Sequence, residues 1–286
     1  MNTNYILNDY SAVGTKWFIY HHDDIDKDKH NKIVSITLKT INEFEKDYSR
    51  FIPSSKVSLL NKNKLLKNAG SEFIDILQIC LKFNKLTDNY FNIAVGGELE
   101  KLGYKKNFTH TQSGQRSLIP NLDTLIKLKE NNVYLDKNYN IDLGGIGKSY
   151  LINLLKNIYI KNGLDKFYIN GGGDIYSNFE DKILLQNPIN LDKYLSKITI
   201  NKQGIATSSP ILRSWKINNT KYHHLVNPKH LDTELNYLSC TVLSDDIIDS
   251  DIWSKSILLS NANIDVKLNN FEVYLIDIDQ NIIRLD

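Results

Sequence analysis

The stretch Asn140-Ile-Asp-Leu-Gly-Gly-Ile-Gly-Lys-Ser-Tyr150 carries the clearest chemistry in the chain, because an apolar, extended run ends in glycines and a helix begins at once. That helix reads Tyr150, Leu151, Leu154, Leu155, Ile158 and Tyr159 at three- and four-residue spacing, so one face is buried and its amino end is held against the protein body. The main-chain N–H groups of its first turn have no intrahelical partner and attract an anion. Gly144, Gly145 and Gly147 keep Cβ atoms out of a ligand's way, Lys148 adds positive charge, and Asp142 offers a carboxylate to a hydroxyl, an amide or a metal. Phosphate binding is the chemistry expected of this junction. A second strand end with bare backbone, Gly171-Gly-Gly-Asp-Ile-Tyr176, follows the short strand Lys166 to Asn170. Histidine is the natural base for drawing a proton from a hydroxyl near neutral pH, and His223 and His224 stand side by side. In a strand such neighbours point to opposite faces, so at most one of the two enters a site.

The elements that must position these groups are mixed. Thr15 to His21 reads as a strand, and Lys32 to Tyr48 as a helix with Val34, Ile41, Phe44 and Tyr48 on one face. Ser49 to Ser58 is a Pro- and Ser-rich loop, and Ser71 to Asn89 a second helix with Phe73, Leu77, Cys80, Leu81 and Leu86 among its apolar residues. Lys105 to Pro120 lacks periodicity and reads as a long surface loop, and Val133 to Ile141 as a strand. Short strands are expected at 183–185, 198–200, 214–217, 224–226 and 239–243, then a helix from Ile247 to Leu259 and a closing hairpin at 271–276 and 281–283. Without regular βαβ alternation, repeat or linker, residues 1–286 are expected to form one α+β domain, with a mixed, largely antiparallel sheet packed by helices. His21 and His22 with Asp23, Asp24 and Asp26 imitate a metal cluster but read as a solvated loop after a strand.

Composition narrows the function. A net charge of +2 with Lys and Asp spread over the whole length argues against a nucleic-acid face or a polybasic membrane anchor. Cys80 and Cys240 sit far apart in apolar runs and read as core thiols. No apolar run nears the roughly 20 residues that cross a bilayer. Met1 to Tyr10 shows neither an export signal nor a cysteine for lipid attachment, so the cytoplasm is the expected location.

Seven segments, in order, resemble the FAD:protein FMN transferases of the ApbE family: Ala12-Val-Gly-Thr15, Ser49 to Asn61, Phe91 to Gly96 with Leu102-Gly-Tyr104, Ile141 to Tyr150, Asn170-Gly-Gly-Gly-Asp-Ile175, Ala206-Thr-Ser208 and Tyr222-His-His-Leu-Val-Asn-Pro228. The resemblance implies a protein that binds FAD and Mg²⁺, cuts the pyrophosphate and transfers FMN to a Thr hydroxyl of an acceptor protein through a phosphoester. Carried over position by position, it places Val13, Phe51, Leu102, Gly103, Tyr104, Asp142, Lys148, Gly172, Asp174 and Thr207 along FAD, and makes His224 the catalytic base. For the metal it implies Gly145, through its main-chain oxygen, Asp251, and position 255, where Lys255 stands in place of the usual Thr. A protonated Lys donates and cannot ligate Mg²⁺, although it can sit where the ion would and neutralise phosphate directly. Asn92 and Asn227 likewise replace family carboxylates, and no Arg-Thr-Gly follows Pro228.

Two other readings compete. Gly144-Gly-Ile-Gly-Lys-Ser149 imitates the phosphate loop of a nucleoside triphosphatase, but the position of that loop's first glycine is Asp142, and the extra Lys of its deviant form is Leu143. The altered metal position also admits a non-catalytic FAD carrier or regulator, and water in place of the Thr hydroxyl would make a pyrophosphatase releasing FMN and AMP.

Overall fold

The computed structural model describes residues 3–104, 114–211, 213–217, 220–231, 234–265 and 271–285. The chain opens with β1 (Asn4–Ala12), β2 (Thr15–His21), α1 (Lys27–Tyr48), α2 (Lys56–Asn63), β3 (Leu65–Leu66), α3 (Ser71–Leu86), α4 (Gly96–Lys101), α5 (Leu122–Leu125), β4 (Ile126–Lys129) and β5 (Asn132–Leu135). It continues through α6 (Gly147–Lys161), β6 (Phe167–Gly171), β7 (Asp174–Gln186), β8 (Tyr194–Ser208), β9 (Ser214–Ile217), β10 (Thr220–His223) and β11 (Tyr237–Ser244), and closes with α7 (Ile247–Leu259), β12 (Glu272–Asp277) and β13 (Ile282–Leu285).

Eight strands form the main sheet in the order β1-β2-β6-β7-β8-β11-β12-β13, every neighbour antiparallel. Smaller sheets, β3-β5-β4 and β9-β10, flank it, so the fold is α+β with a large antiparallel sheet. α7 is buried almost all round, which makes it a core helix, and it packs on β8, β11 and α6. Gly204 permits that packing, because a Cβ there would stand 2.6 Å from Ile247 Cα. The hydroxyls that α7 carries inward are bonded: Ser250 Oγ donates to Gly204 O at 3.1 Å, and Ser254 Oγ lies 2.8 Å from Ser208 Oγ. Cys80 and Cys240 are buried free thiols, as expected.

Several elements depart from their sequence-based expectation. α1 begins before Lys32, because the Asp26 carboxylate caps it by accepting from Lys29 N at 2.7 Å, and its buried face is Ile33, Thr37, Ile41, Phe44 and Tyr48 rather than one through Val34. α2 starts inside the expected Ser49–Ser58 loop, capped by Ser55. α3 stops at Leu86, and the Leu86 side chain is exposed. The strand expected from Val133 to Ile141 ends at Leu135. Beyond it, Ile141 instead exchanges main-chain bonds with the Asn61 side chain (2.7 and 2.9 Å), and Asp142 N donates to Ile93 O at 2.8 Å. That segment therefore lies outside the sheets, and the strand a triphosphatase loop needs ahead of its glycines is not there. No strand covers His224 to Val226, because the nearest one, β10, ends at His223. Segments 183–185 and 198–200 belong to the long strands β7 and β8. His21, expected in a solvated loop, is fully buried with Nε2 3.1 Å from His30 Nδ1. In the Lys105–Pro120 loop, residues 105–113 lie outside the described residues and 114–120 form no regular element.

Candidate active site

β6 and β7 meet in a two-residue hairpin turn in which Gly171 pairs with Asp174, while Gly172 and Gly173 adopt φ of +69° and +97°. Gly172 N donates to Lys16 O at 3.0 Å, and a Cβ on Gly172 would stand 2.0 Å from Thr15 Oγ1, so only glycine lets this turn sit against the start of β2. The turn presents bare backbone beside the start of α6. No side chain caps α6; Gly147 N donates to Leu143 O at 2.7 Å, and the helix meets the cleft at Lys148, the next residue of its first turn. Between these two ends opens a cleft of about 380 Å³.

The cleft gathers most of the positions singled out in the sequence. Gly145, Asp142 and Lys148 face it from the glycine turn, Gly172 and Asp174 from the hairpin, and Thr207 from the end of β8. Tyr104, His224, Asp251 and Lys255 complete that set. Four expected flavin contacts are not on its lining. Val13 is, with Gly14, a positive-φ residue of the β1–β2 turn, its N–H donating to Glu45 Oε1 at 2.9 Å. Leu102 is a core residue whose carbonyl accepts from Trp215 Nε1 at 2.9 Å, Gly103 follows it, and Phe51 meets the cleft only through an edge contact with Tyr104 (centroids 6.3 Å apart).

Two lysine–carboxylate pairs dominate the electrostatics. Lys148 Nζ is bonded to Asp174 Oδ2, and Lys255 Nζ to Asp251 Oδ1 and, at 2.7 Å, to Asp251 O. Ser149 Oγ donates to the other Asp251 oxygen at 2.7 Å. Burial pulls the Lys148 ammonium down, but Asp174 and Asp251 together outweigh it and hold it above the ordinary lysine value. Burial raises the Asp174 carboxyl by more than Lys148 offsets, with Asp251 adding to the rise. Burial also raises Asp251, yet Lys255 and Lys148 overcome it and keep that carboxyl below its usual range. The Lys255 ammonium is lowered by burial, a loss Asp251 only partly restores.

His224 follows β10 and is half-buried, while His223 is buried. His224 N and Nδ1 lie 3.2 and 3.4 Å from Arg213 O. With the carbonyl accepting from Nδ1, the lone pair is on Nε2. Burial first, and the Arg213 guanidinium second, hold the imidazole below its ordinary value and therefore neutral.

Arg50 and Arg213 were not anticipated. Arg213 lines the cleft and donates through Nη2 to Gly14 O at 3.1 Å, a placement with no local sequence signal. Arg50 lies within a quoted motif, beside Phe51: its Nε is bonded to Asp142 Oδ2, its Nη2 donates to Tyr104 O at 2.6 Å, and its guanidinium covers the Phe51 ring at 4.3 Å. With Gly144 N on the other Asp142 oxygen at 2.5 Å, this arginine fixes the carboxylate against the glycine turn.

Mg²⁺ needs several oxygen donors in near-octahedral array. Here the Asp251 carboxylate is shared between an ammonium and a hydroxyl, and Lys255 adds only donors. Among the described residues no group of three His, Cys, Asp or Glu side chains gathers to hold a metal ion. The residues present do not fit the divalent ion that the resemblance implies.

Glycine turns, a helix amino end and lysines converging on one cleft define a site suited to a phosphate-rich nucleotide. The ApbE family profile matches residues 13–272, and the chain belongs to the ApbE family. It is 26% identical over 189 residues to the FAD:protein FMN transferase of Klebsiella pneumoniae (strain 342), a match taking in 63% of this chain but only 59% of that protein. With the enzyme of the same name from Buchnera aphidicola subsp. Schizaphis graminum (strain Sg) it shares 26% identity over 249 residues, 79% of this chain and 72% of the relative. The crystal structure of the ApbE protein from Thermotoga maritima superposes with a TM-score of 0.88 at 20% identity, covering 100% of this chain and 97% of that one. Flavin transferase ApbE from Vibrio cholerae gives 0.74 at 15% identity, covering 99% and 96%. At these identities the structural likeness is one of fold.

Proposed function

We propose that this chain is a FAD:protein FMN transferase acting on a Thr hydroxyl of an acceptor protein. The observation that carries the reading is convergence: two bare-backbone turns, Lys148 and the neutral base His224 all open into one cleft. The first turn of α6 and the Gly172–Gly173 turn receive the pyrophosphate, with Lys148 beside them. The Thr oxygen attacks the phosphorus on the FMN side, a P–O bond to Thr forms, and the P–O bond to the bridging oxygen breaks. AMP leaves with that oxygen, and the Thr proton passes to His224 Nε2. Asp142, clamped by Arg50 and Gly144 N, offers a fixed carboxylate to polar groups of the flavin half. The names of the relatives support this choice of substrate. The Mg²⁺ dependence implied by the resemblance is not carried into it, because the donor set does not fit. No helix among the described residues is long and apolar enough to cross a membrane, and the cytoplasm remains the proposed location.

The test is incubation with FAD and a peptide bearing the acceptor Thr, with and without Mg²⁺. A covalently yellow peptide together with AMP is the expected result. FMN and AMP without a labelled peptide would make the chain a pyrophosphatase, and bound FAD without AMP a carrier. Absence of any calorimetric signal with FAD would overturn the reading.

A further inference from the structure

We infer that Lys255 is a built-in replacement for a divalent cation, so that this site handles the FAD pyrophosphate without Mg²⁺; the inference rests on the function proposed above. Asp251 and Lys255 stand one helical turn apart on α7, and the Lys255 side chain folds back along the helix so that its ammonium contacts both the carboxylate and the main-chain oxygen of Asp251. Its stem runs beneath the glycine turn: a Cβ added to Gly145 would lie 3.8 Å from Lys255 Cδ and 3.9 Å from Cε. The ammonium is thereby held on Asp251 with its stem against Gly145, the two positions from which oxygen ligands were expected.

Its surroundings hold it there. Only 12% of the Lys255 side chain and 4% of the Asp251 side chain is exposed, yet both line the cleft. Ser149 Oγ takes the Asp251 oxygen that Lys255 leaves, so the carboxylate is anchored from both sides. An ammonium has three N–H donors. Two are directed at Asp251 O and Oδ1, which leaves one for a phosphate oxygen. Lys148 is similarly committed to Asp174, so the four residues form a neutral set whose cationic heads are fixed by carboxylates behind them. A cation held in advance needs little reorganisation when the pyrophosphate arrives.

The experiment uses the full chain stripped of metal with a chelator. FAD affinity by calorimetry and AMP release should be the same within about twofold with and without added Mg²⁺, well under the tenfold step that 1.4 kcal/mol represents. Mn²⁺, titrated into the stripped protein and followed by its free-ion paramagnetic resonance signal, should remain unbound. Lys255→Met should weaken FAD binding by roughly 10- to 100-fold, the loss of one charge-assisted hydrogen bond, with no rescue by Mg²⁺. Lys255→Thr should acquire Mn²⁺ binding. Wild-type protein that binds Mn²⁺ at the cleft, or that releases AMP only with Mg²⁺, overturns the inference while leaving the transferase reading intact. Failure to bind FAD under any condition overturns both, and the wild-type measurements decide even if neither variant folds.

Discussion

Replacing Lys148 by Met should deepen the loss of stability with rising pH that the raised Asp174 carboxyl already brings. Asp174 is only 3% exposed, and the Lys148 side chain 20%, so their contact is shielded from solvent. Removing one member of a buried pair typically costs about 3–5 kcal/mol, and because Lys255 still acts on Asp174, a value of about 3 kcal/mol is expected here. The carboxylate has an escape, which is to bind a proton. Burial already raises the Asp174 carboxyl, and without Lys148 it rises further. A carboxyl with a raised folded-state value contributes stability that is fully present below the unfolded value near 3.9 and lost as pH climbs through the folded one. The variant should therefore be close to the parent at about pH 5 and worst at about pH 8, with about 1.4 kcal/mol lost per unit of the interval in which only the unfolded chain is ionised.

Urea unfolding of the unliganded protein, followed by the fluorescence of the buried Trp17, Trp215 and Trp253, gives the free energy at each pH. The double variant Lys148→Met/Asp174→Asn removes the charge together with its partner and should recover about 2 kcal/mol at the higher pH. Equal losses at both pH values, with no recovery in the double variant, would refute the reasoning, because the loss would then come from packing of the lysine stem.

Other consequences are more local. A base must be unprotonated, and the His224 imidazole is held low by burial and then by Arg213, so the acid limb of AMP release should fall well below the ordinary imidazole value of about 6.5. Arg213→Gln should move that limb part of the way back, and a parental limb at or above about 6.5 would contradict the assignment. Asn227→Asp restores the family's usual residue yet should destabilise by about 1–3 kcal/mol: Asn227 Nδ2 donates to Leu259 O at 2.9 Å, and a carboxylate there would lose that donor and face the negative end of α7. A thermal midpoint unchanged by the substitution would discount that contact.

The two glycine-rich ends that meet at the cleft were legible because their signals are local. A glycine run after an apolar stretch, followed by helical periodicity, marks the start of α6, and bare glycines after the short strand Lys166 to Asn170 mark a strand end, which the structure shows to be a tight hairpin. β12 and β13 pair as the closing hairpin for the same reason. What was hidden depends on contacts distant in the chain. β1 escaped notice because bulges break its alternation, with register shifts at Leu7 and Tyr10. The end of α1 nearest His21 was obscured because Asp26 resembles one more acid in a loop until its carboxylate is seen to cap the helix.

The replaced carboxylates teach the same lesson at the site. Read along the chain, Asn92 and Asn227 are losses of charge. In the fold they are donors that an aspartate cannot be: Asn92 Nδ2 bonds Asn89 Oδ1 at 2.8 Å and Pro120 O at 3.0 Å, and Asn227 ties the histidine loop to the end of α7. Lys255 extends the pattern from hydrogen bonding to charge. The spacing of Asp251 and Lys255 already announces an ion pair, since an acid four residues ahead of a base is the favoured arrangement on any helix. On an exposed helix that pair would be worth a few tenths of a kcal/mol and mean little. It acquires significance because α7 is buried and Gly145 crosses over the lysine stem, facts that depend on how β8, β11 and α6 enclose the helix. The substitution that makes a metal site look broken in one dimension is, in three, the one that places a cation in it.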